Sequence, residues 1–247
     1  IFGGCPLPRP EETLSCPDRD KKVSPRLKTS KRGFAFKDLI AEHPLPMRVA
    51  VIDIGSNTIK LLVATRSATS GVDTVHYAVE EARLGSGLGA THPTLAESNM
   101  DRAVAAIARL LALARSFAPA RTQLVATSAV RDAANGAAFA ARVQAATGES
   151  VRILTGKEEA DYIGAGLAAD PALAGARDFY LFDLGGGSLE CLEFRDRRAT
   201  QSTSLRLGCV RLTERCVADP TAPFTAAQRN AVVAAVRDAV AGGAFRF

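Results

Sequence analysis

The chain has 247 residues, 47% apolar and 23% charged, enough for one large domain or two modest ones around a real core. Its apolar runs stop well short of the roughly 20 residues a bilayer span requires, and its first residues lack the pattern of a secretory signal, so neither a membrane helix nor an export leader is expected. Five scattered cysteines without C-x-x-C spacing and three histidines without partners at ligand spacing argue against a disulfide framework or a zinc site and favour a reducing cytoplasm; the net charge of +5 suits an anionic partner without specifying nucleic acid.

Residues 1–46 hold Lys21, Lys22, Arg26, Lys28, Lys31 and Arg32 in a Pro-rich stretch of weak periodicity. They read as a solvated or disordered extension; a basic nucleic-acid arm ranks below this because no aromatics are interleaved. At Met47 the composition changes to Arg48-Val49-Ala50-Val51-Ile52-Asp53, and the folded boundary is placed there. Met47 itself reads as a natural start, with the preceding segment as upstream read-through or a variable extension.

Two β-rich runs, Val49–Ile54 and Ile59–Thr65, flank the short turn Gly55-Ser56-Asn57-Thr58, which signals a hairpin. A third strand covers Val72–Glu81. Thr94-Leu95-Ala96-Glu97 matches a capping box, followed by Met100, Val104, Ile107, Leu111, Ala114 and Phe117 at helical spacing. Gln123–Thr127 reads as a strand, Ala133–Ala146 as a helix, Val151–Leu154 as a strand and Glu158–Leu167 as a helix. An antiparallel start followed by alternating strands and helices implies a mixed sheet covered by helices, a ribonuclease-H-like lobe over residues 47–174.

After a break at Asp170-Pro171 and Gly175 the pattern begins again, with strands at Phe179–Leu184, Leu189–Phe194 and Thr200–Leu205. Asp183 follows Asp53 by roughly 130 residues, and each closes an apolar strand and opens a Gly/Ser turn, which marks an internal repeat. Thr225-Ala226-Ala227-Gln228 is another capping box, leading a helix through Val232, Val236 and Val240. The expected architecture is therefore α/β with two ribonuclease-H-like lobes in a duplicated fold, the second (residues 175–247) incomplete.

Small residues in Asp53-Ile54-Gly55-Ser56-Asn57-Thr58 would let backbone N–H groups approach a phosphate, while hydroxyl and amide side chains add donors. A plain hairpin turn explains one copy equally well. The second copy, Asp183-Leu184-Gly185-Gly186-Gly187-Ser188-Leu189-Glu190, gives up packing for backbone access, and its two carboxylates, Asp183 and Glu190, suit Mg²⁺. Thr155-Gly156-Lys157-Glu158 fits a capping box that accounts for Glu158 and leaves Glu159 unexplained. Arg131, beyond a strand end, suits a bidentate phosphate contact, although spacing alone favours an ion pair with Asp132 or a nearby acid.

In this order and separation, D-I-G-S-N-T and D-L-G-G-G-S-x-E resemble the two phosphate motifs of the Ppx/GppA phosphatase family, within the actin, Hsp70 and sugar-kinase superfamily. The resemblance runs from about Arg48 to Glu214 and takes in Arg83-Leu84-Gly85-Ser86-Gly87-Leu88, Thr127-Ser128-Ala129-Val130-Arg131-Asp132, Leu154–Ala160 and Leu207–Glu214. Arg206 stands where family members often have Pro, and the family's later Gly/Thr-rich loop has no counterpart before Phe247.

The resemblance implies a cleft between lobes where Glu159 activates water. Asp53, Gly55, Ser56, Asn57, Thr58, Arg131, Gly185, Gly186, Gly187 and Ser188 would hold phosphate, and Asp183 and Glu190 would hold Mg²⁺ or another divalent cation. Inorganic polyphosphate is the first expected substrate and guanosine pentaphosphate the second, with a homodimer admitted as one assembly. A catalytically weak polyphosphate or nucleotide sensor is the alternative. An ATP-dependent kinase of the same superfamily ranks lower, because the Glu159 motif suits water rather than a hydroxyl acceptor.

Overall fold

The computed structural model describes residues 47–67, 71–243, 245 and 246. The expectations for residues 1–46 lie outside them. Five strands form the first sheet, in the order β3-β2-β1-β4-β5: β1 (Arg48–Ile54), β2 (Thr58–Ser67), β3 (Gly71–Glu81), β4 (Arg121–Ala126) and β5 (Val151–Ile153). The first three are antiparallel neighbours, whereas β4 runs parallel to β1 and β5 parallel to β4, so this is the expected mixed sheet.

Strand alternation decides which face becomes core. Ala50, Ile52 and Ile54 of β1 are fully buried beneath helix α1 (Glu97–Ser116), joined by Ile59, Leu61 and Val63 of β2 and Leu124 and Ala126 of β4. The intervening residues Val51, Asp53 and Val125 turn to the opposite face, which becomes a wall of a cleft.

Helix α1 starts later than the sequence suggests. Its N-cap is Ala96, which makes no side-chain cap bond, and Thr94 lies upstream of the helix. Tertiary packing overrides the local signal: Leu95 is buried, its N–H donates to Asn135 Oδ1 (2.8 Å), and Asn135 Nδ2 donates back to the Leu95 carbonyl (2.9 Å). The helix expected from Ala133 is also corrected, to α2 (Ser128–Asp132) and α3 (Gly136–Thr147), separated by extended Ala133. Gly136 permits this break, since a Cβ there would stand 1.9 Å from the Val130 carbonyl oxygen.

Helix α4 (Gly156–Ala168) follows β5 in sequence but packs on the second sheet, β6-β7-β8, formed by β6 (Phe179–Leu184), β7 (Leu189–Arg195) and β8 (Arg198–Leu205). Ala160 of α4 meets Leu192 and Phe194 of β7, and Gly164 leaves room for them, as a Cβ there would lie 2.7 Å from Leu192. The other face of β7 places Cys191 in a cluster with Leu205, Leu207 and Phe245, against which α6 (Ala226–Ala241) packs. Between β8 and α6 lies α5 (Cys209–Cys216), a helix not expected from the sequence. Among the described residues the second sheet has three antiparallel strands and no parallel counterparts of β4 and β5.

Candidate active site

The two hairpins are equivalent in register as well as in sequence. Asp53 pairs with Lys60 across the first and Asp183 with Glu190 across the second. In each, the first glycine closes the turn on the residue three further on: Gly55 N–H donates to Thr58 O (3.1 Å) and Gly185 N–H to Ser188 O (3.0 Å). The sharp difference is at the second carboxylate position, where the first hairpin carries Lys60 and the second Glu190.

A cleft of about 650 Å³ opens where the two hairpins meet. It is lined by Asp53, Gly55, Ser56, Asn57 and Thr58 from the first and by Asp183, Gly185, Gly186, Ser188 and Glu190 from the second, together with Glu159. Parallel strands β1, β4 and β5 all end at this side, the usual place for ligands in α/β sheets.

Two of the residues expected to hold phosphate stand elsewhere. Gly187 is buried behind the cleft, where a Cβ would lie 2.4 Å from Ser128 Oγ and 2.7 Å from Ser56 Oγ. Its lack of a side chain serves the close approach of the two hairpins rather than access to the cleft. Arg131 is not among the cleft-lining residues; its Nη1 donates to Glu159 Oε2 (2.6 Å) and to the Leu154 carbonyl (3.2 Å). The acid that pairs with Arg131 is thus the catalytic candidate itself, with Asp132 more distant at 3.7 Å.

Local structure fixes Glu159. Thr155 and Glu158 form the expected capping box, so Glu158 is spent on the helix start and on Arg152. Its carboxyl is held down to about 2, first by the Thr155 backbone N–H and then by Arg152. Glu159, one residue on, points into the cleft, and burial pushes its carboxyl up to about 7 against the opposing hydrogen bond from Arg131, with Glu190 adding to the rise. Burial also raises Asp53, which Lys60 counteracts and Asp183 reinforces. Glu190 is raised by burial despite hydrogen bonds from Ser188 and Ser204, the latter at 2.7 Å.

Among the described residues, Asp53 Oδ1 is the buried side-chain oxygen left without a hydrogen-bond partner. An orphaned carboxylate oxygen beside other carboxyls that burial holds above their ordinary range fits a divalent cation, whose charge would relieve all of them. No three His, Cys, Asp or Glu side chains among the described residues form a cage alone.

Lys60, Arg121, Arg152 and Tyr162 also line the cleft and were missed in the sequence. The repeat held a signal for Lys60, which occupies the position of Glu190. For Arg121 and Arg152 no motif exists, because only the parallel pairing of β4 and β5 brings them to the same wall.

Two like hairpin loops lining one cleft, with a mixed sheet behind the first and an antiparallel sheet behind the second, define the class: an α/β protein of the fold seen in solved Ppx/GppA-type structures. The sequence model of the Ppx/GppA phosphatase family matches residues 62–242, and the chain belongs to that family. It is 37% identical over 182 residues to Exopolyphosphatase 2 of Mycobacterium tuberculosis, an alignment covering 70% of this chain and 56% of that protein. A solved exopolyphosphatase-like protein shares 29% identity at a TM-score of 0.71, over 79% of this chain and 61% of the other. The Ppx/GppA enzyme of Aquifex aeolicus shares 26% at 0.63, over 80% and 64%. The chain therefore spans little more than half the length of the curated relative.

Proposed function

We propose that the cleft hydrolyses a terminal phosphoanhydride bond, releasing orthophosphate from inorganic polyphosphate and, as a second substrate, removing the 5′-γ-phosphate of guanosine pentaphosphate. The observation that carries this reading is Glu159: a carboxyl raised to about 7, tethered by Arg131 and opening onto a cleft lined by both hairpin loops. A base poised near neutrality can take a proton from water and still be largely ionised at the working pH. As the water oxygen bonds to the terminal phosphorus, the bridging P–O bond breaks and its electron pair leaves with the shortened chain. The names of the relatives, exopolyphosphatases, support the same reaction class.

Phosphoryl transfer demands mainly positioning and charge stabilisation. In this proposal Gly55, Ser56, Asn57, Thr58, Gly185, Gly186 and Ser188 cradle phosphate oxygens, while Arg131 holds Glu159 in place rather than gripping phosphate itself. Asp183 and Glu190 would hold Mg²⁺, with Asp53 as a further candidate ligand through its orphaned oxygen. The ion would neutralise charge on the phosphate oxygens. Among the described residues no helix is long and apolar enough to cross a membrane, and Cys191, Cys209 and Cys216 are free thiols. A cytoplasmic setting is proposed on the strength of these free thiols.

The test is to incubate the chain with Mg²⁺ and, separately, polyphosphate, guanosine pentaphosphate and ATP, and to measure orthophosphate and ADP. Orthophosphate from either of the first two supports the proposal. ADP formed only with an added hydroxyl acceptor would identify a kinase, and binding without turnover a sensor; either result overturns it.

A further inference from the structure

Two sequence motifs have no part in the proposed chemistry, yet the structure joins them. Helix α5 carries Arg211 and Glu214, three residues apart and therefore on one face. Glu214 accepts from Gly87 N–H through Oε1 and from Gly89 N–H through Oε2, both at 2.9 Å. Arg211 Nη1 donates to the carbonyl of the intervening Leu88 (2.8 Å). One helix face thus takes up three consecutive residues of the loop that follows β3. The fit is close, since a Cβ on Gly89 would stand 2.8 Å from Glu214 Cβ.

The clasped loop in turn holds the first hairpin. Gly85 N–H donates to Ser56 O (2.6 Å), and the N–H groups of Ala82 and Arg83 donate to Asn57 O (3.0 and 2.8 Å). Arg211 also reaches the second hairpin, Nε donating to Gly187 O (2.9 Å), and its Nη2 donates to Asp132, the neighbour of the arginine that grips Glu159. Its side chain is buried, and it shares the Asp132 carboxylate with Arg206 (3.1 Å) and, more distantly, Arg131 (3.7 Å). Apolar packing would stabilise such a junction as well as or better than a buried ion pair; a guanidinium fork with three separate acceptors instead fixes their relative positions.

We propose that Arg211 and Glu214 are positioning residues for the reaction: through the Leu84–Gly89 loop and Asp132, α5 sets the first hairpin, the Gly-rich hairpin and the Arg131–Glu159 pair in one arrangement. Neither residue lines the cleft. The kinetic consequence rests on the hydrolase reading; the structural one does not.

Glu214→Gln, nearly isosteric, and Arg211→Lys, which keeps charge but loses the fork, test this in the full chain. With polyphosphate and Mg²⁺, kcat should fall about 10- to 100-fold in each while KM changes less than about threefold, the signature of misplacement rather than lost binding. By hydrogen exchange followed by mass spectrometry, amides of residues 53–58, which lie outside the hydrogen bonds that these two side chains make, should exchange about tenfold faster in a variant that melts above the assay temperature. Unchanged kcat in both variants, or unchanged exchange at residues 53–58, overturns the proposal. If the parent chain releases no phosphate from any substrate, the hydrolase reading fails, and the exchange result alone decides the clasp. Should Arg211→Lys not fold, the same two measurements on Glu214→Gln decide.

Discussion

Glu158 and Glu159 are adjacent, chemically alike and oppositely tuned. Glu158 is partly exposed and held down to about 2 by a backbone N–H and an arginine; Glu159 is more deeply buried and pushed up to about 7. Glu159→Gln should lower kcat by about 10²–10⁴-fold and abolish an acidic limb near pH 7 in the rate profile of the parent, measured by orthophosphate release across pH 5–9. The same residue makes a stability prediction of known sign. Because its folded pKa lies above the ordinary 4.5, the folded chain holds more protons than the unfolded one between pH 4.5 and about 7, and stability declines as pH rises through that window. Glu159→Gln should therefore stabilise the chain at pH 8 by roughly 1–2 kcal/mol after allowance for solvent screening, with little gain at pH 4, as read from urea melts at both pH values. An equal gain at both would show that the carboxyl is not held above its usual range.

At the scale of elements, the backbone of the Gly-rich hairpin is held by the start of α5. The first N–H groups of α5, those of Cys209, Val210 and Arg211, donate to the carbonyls of Gly185 and Gly186 at 2.9, 2.9 and 3.2 Å. This close approach depends on Gly208, where a Cβ would stand 2.3 Å from the backbone of Gly186 and Gly187. Gly208→Ala should cost about 1–3 kcal/mol by overpacking, seen as a lower melting temperature, since backbone cannot move aside as a side-chain tip can. At the start of α4, Thr155→Ala removes the hydroxyl that accepts from Glu158 N–H and should cost about 1 kcal/mol in a denaturant melt.

For the molecule as a whole, the decisive feature is that α4 precedes the second repeat in sequence, following β5 of the first sheet, yet packs on the second sheet. Leu192 and Phe194 anchor it, and by the repeat Leu192 corresponds to Leu62, which lies exposed on the first sheet beside Tyr77 and Val79. The duplicated sheets therefore differ in what covers them, although their hairpins match in length and register. Leu192→Ala should cost about 2–5 kcal/mol and, because α4 carries Glu159, should lower kcat even at temperatures where circular dichroism shows the chain fully folded. Full kcat in that folded state would show that α4 keeps Glu159 in place without this anchor.

Much of this was legible in the chain. Strand alternation around Ile52 and Asp53, the doubled Asp-Gly turns and the capping boxes at Thr155 and Thr225 are local signals, and local backbone preference was enough to realise them. The capping signal at Thr94 failed because a distant side chain, Asn135, satisfied the backbone of Leu95 and delayed the helix. Likewise no sequence pattern told Gly187, packed against two serines, from Gly185 and Gly186 at the cleft. The sequence by itself determined the repeat, the strands and the acidic candidates, since these depend on residue type and short-range spacing. Only the tertiary structure decided that Arg131 serves Glu159, that Asp53 bears an unsatisfied oxygen and that α5 ties both hairpins together, because each depends on burial and on partners far away in the chain.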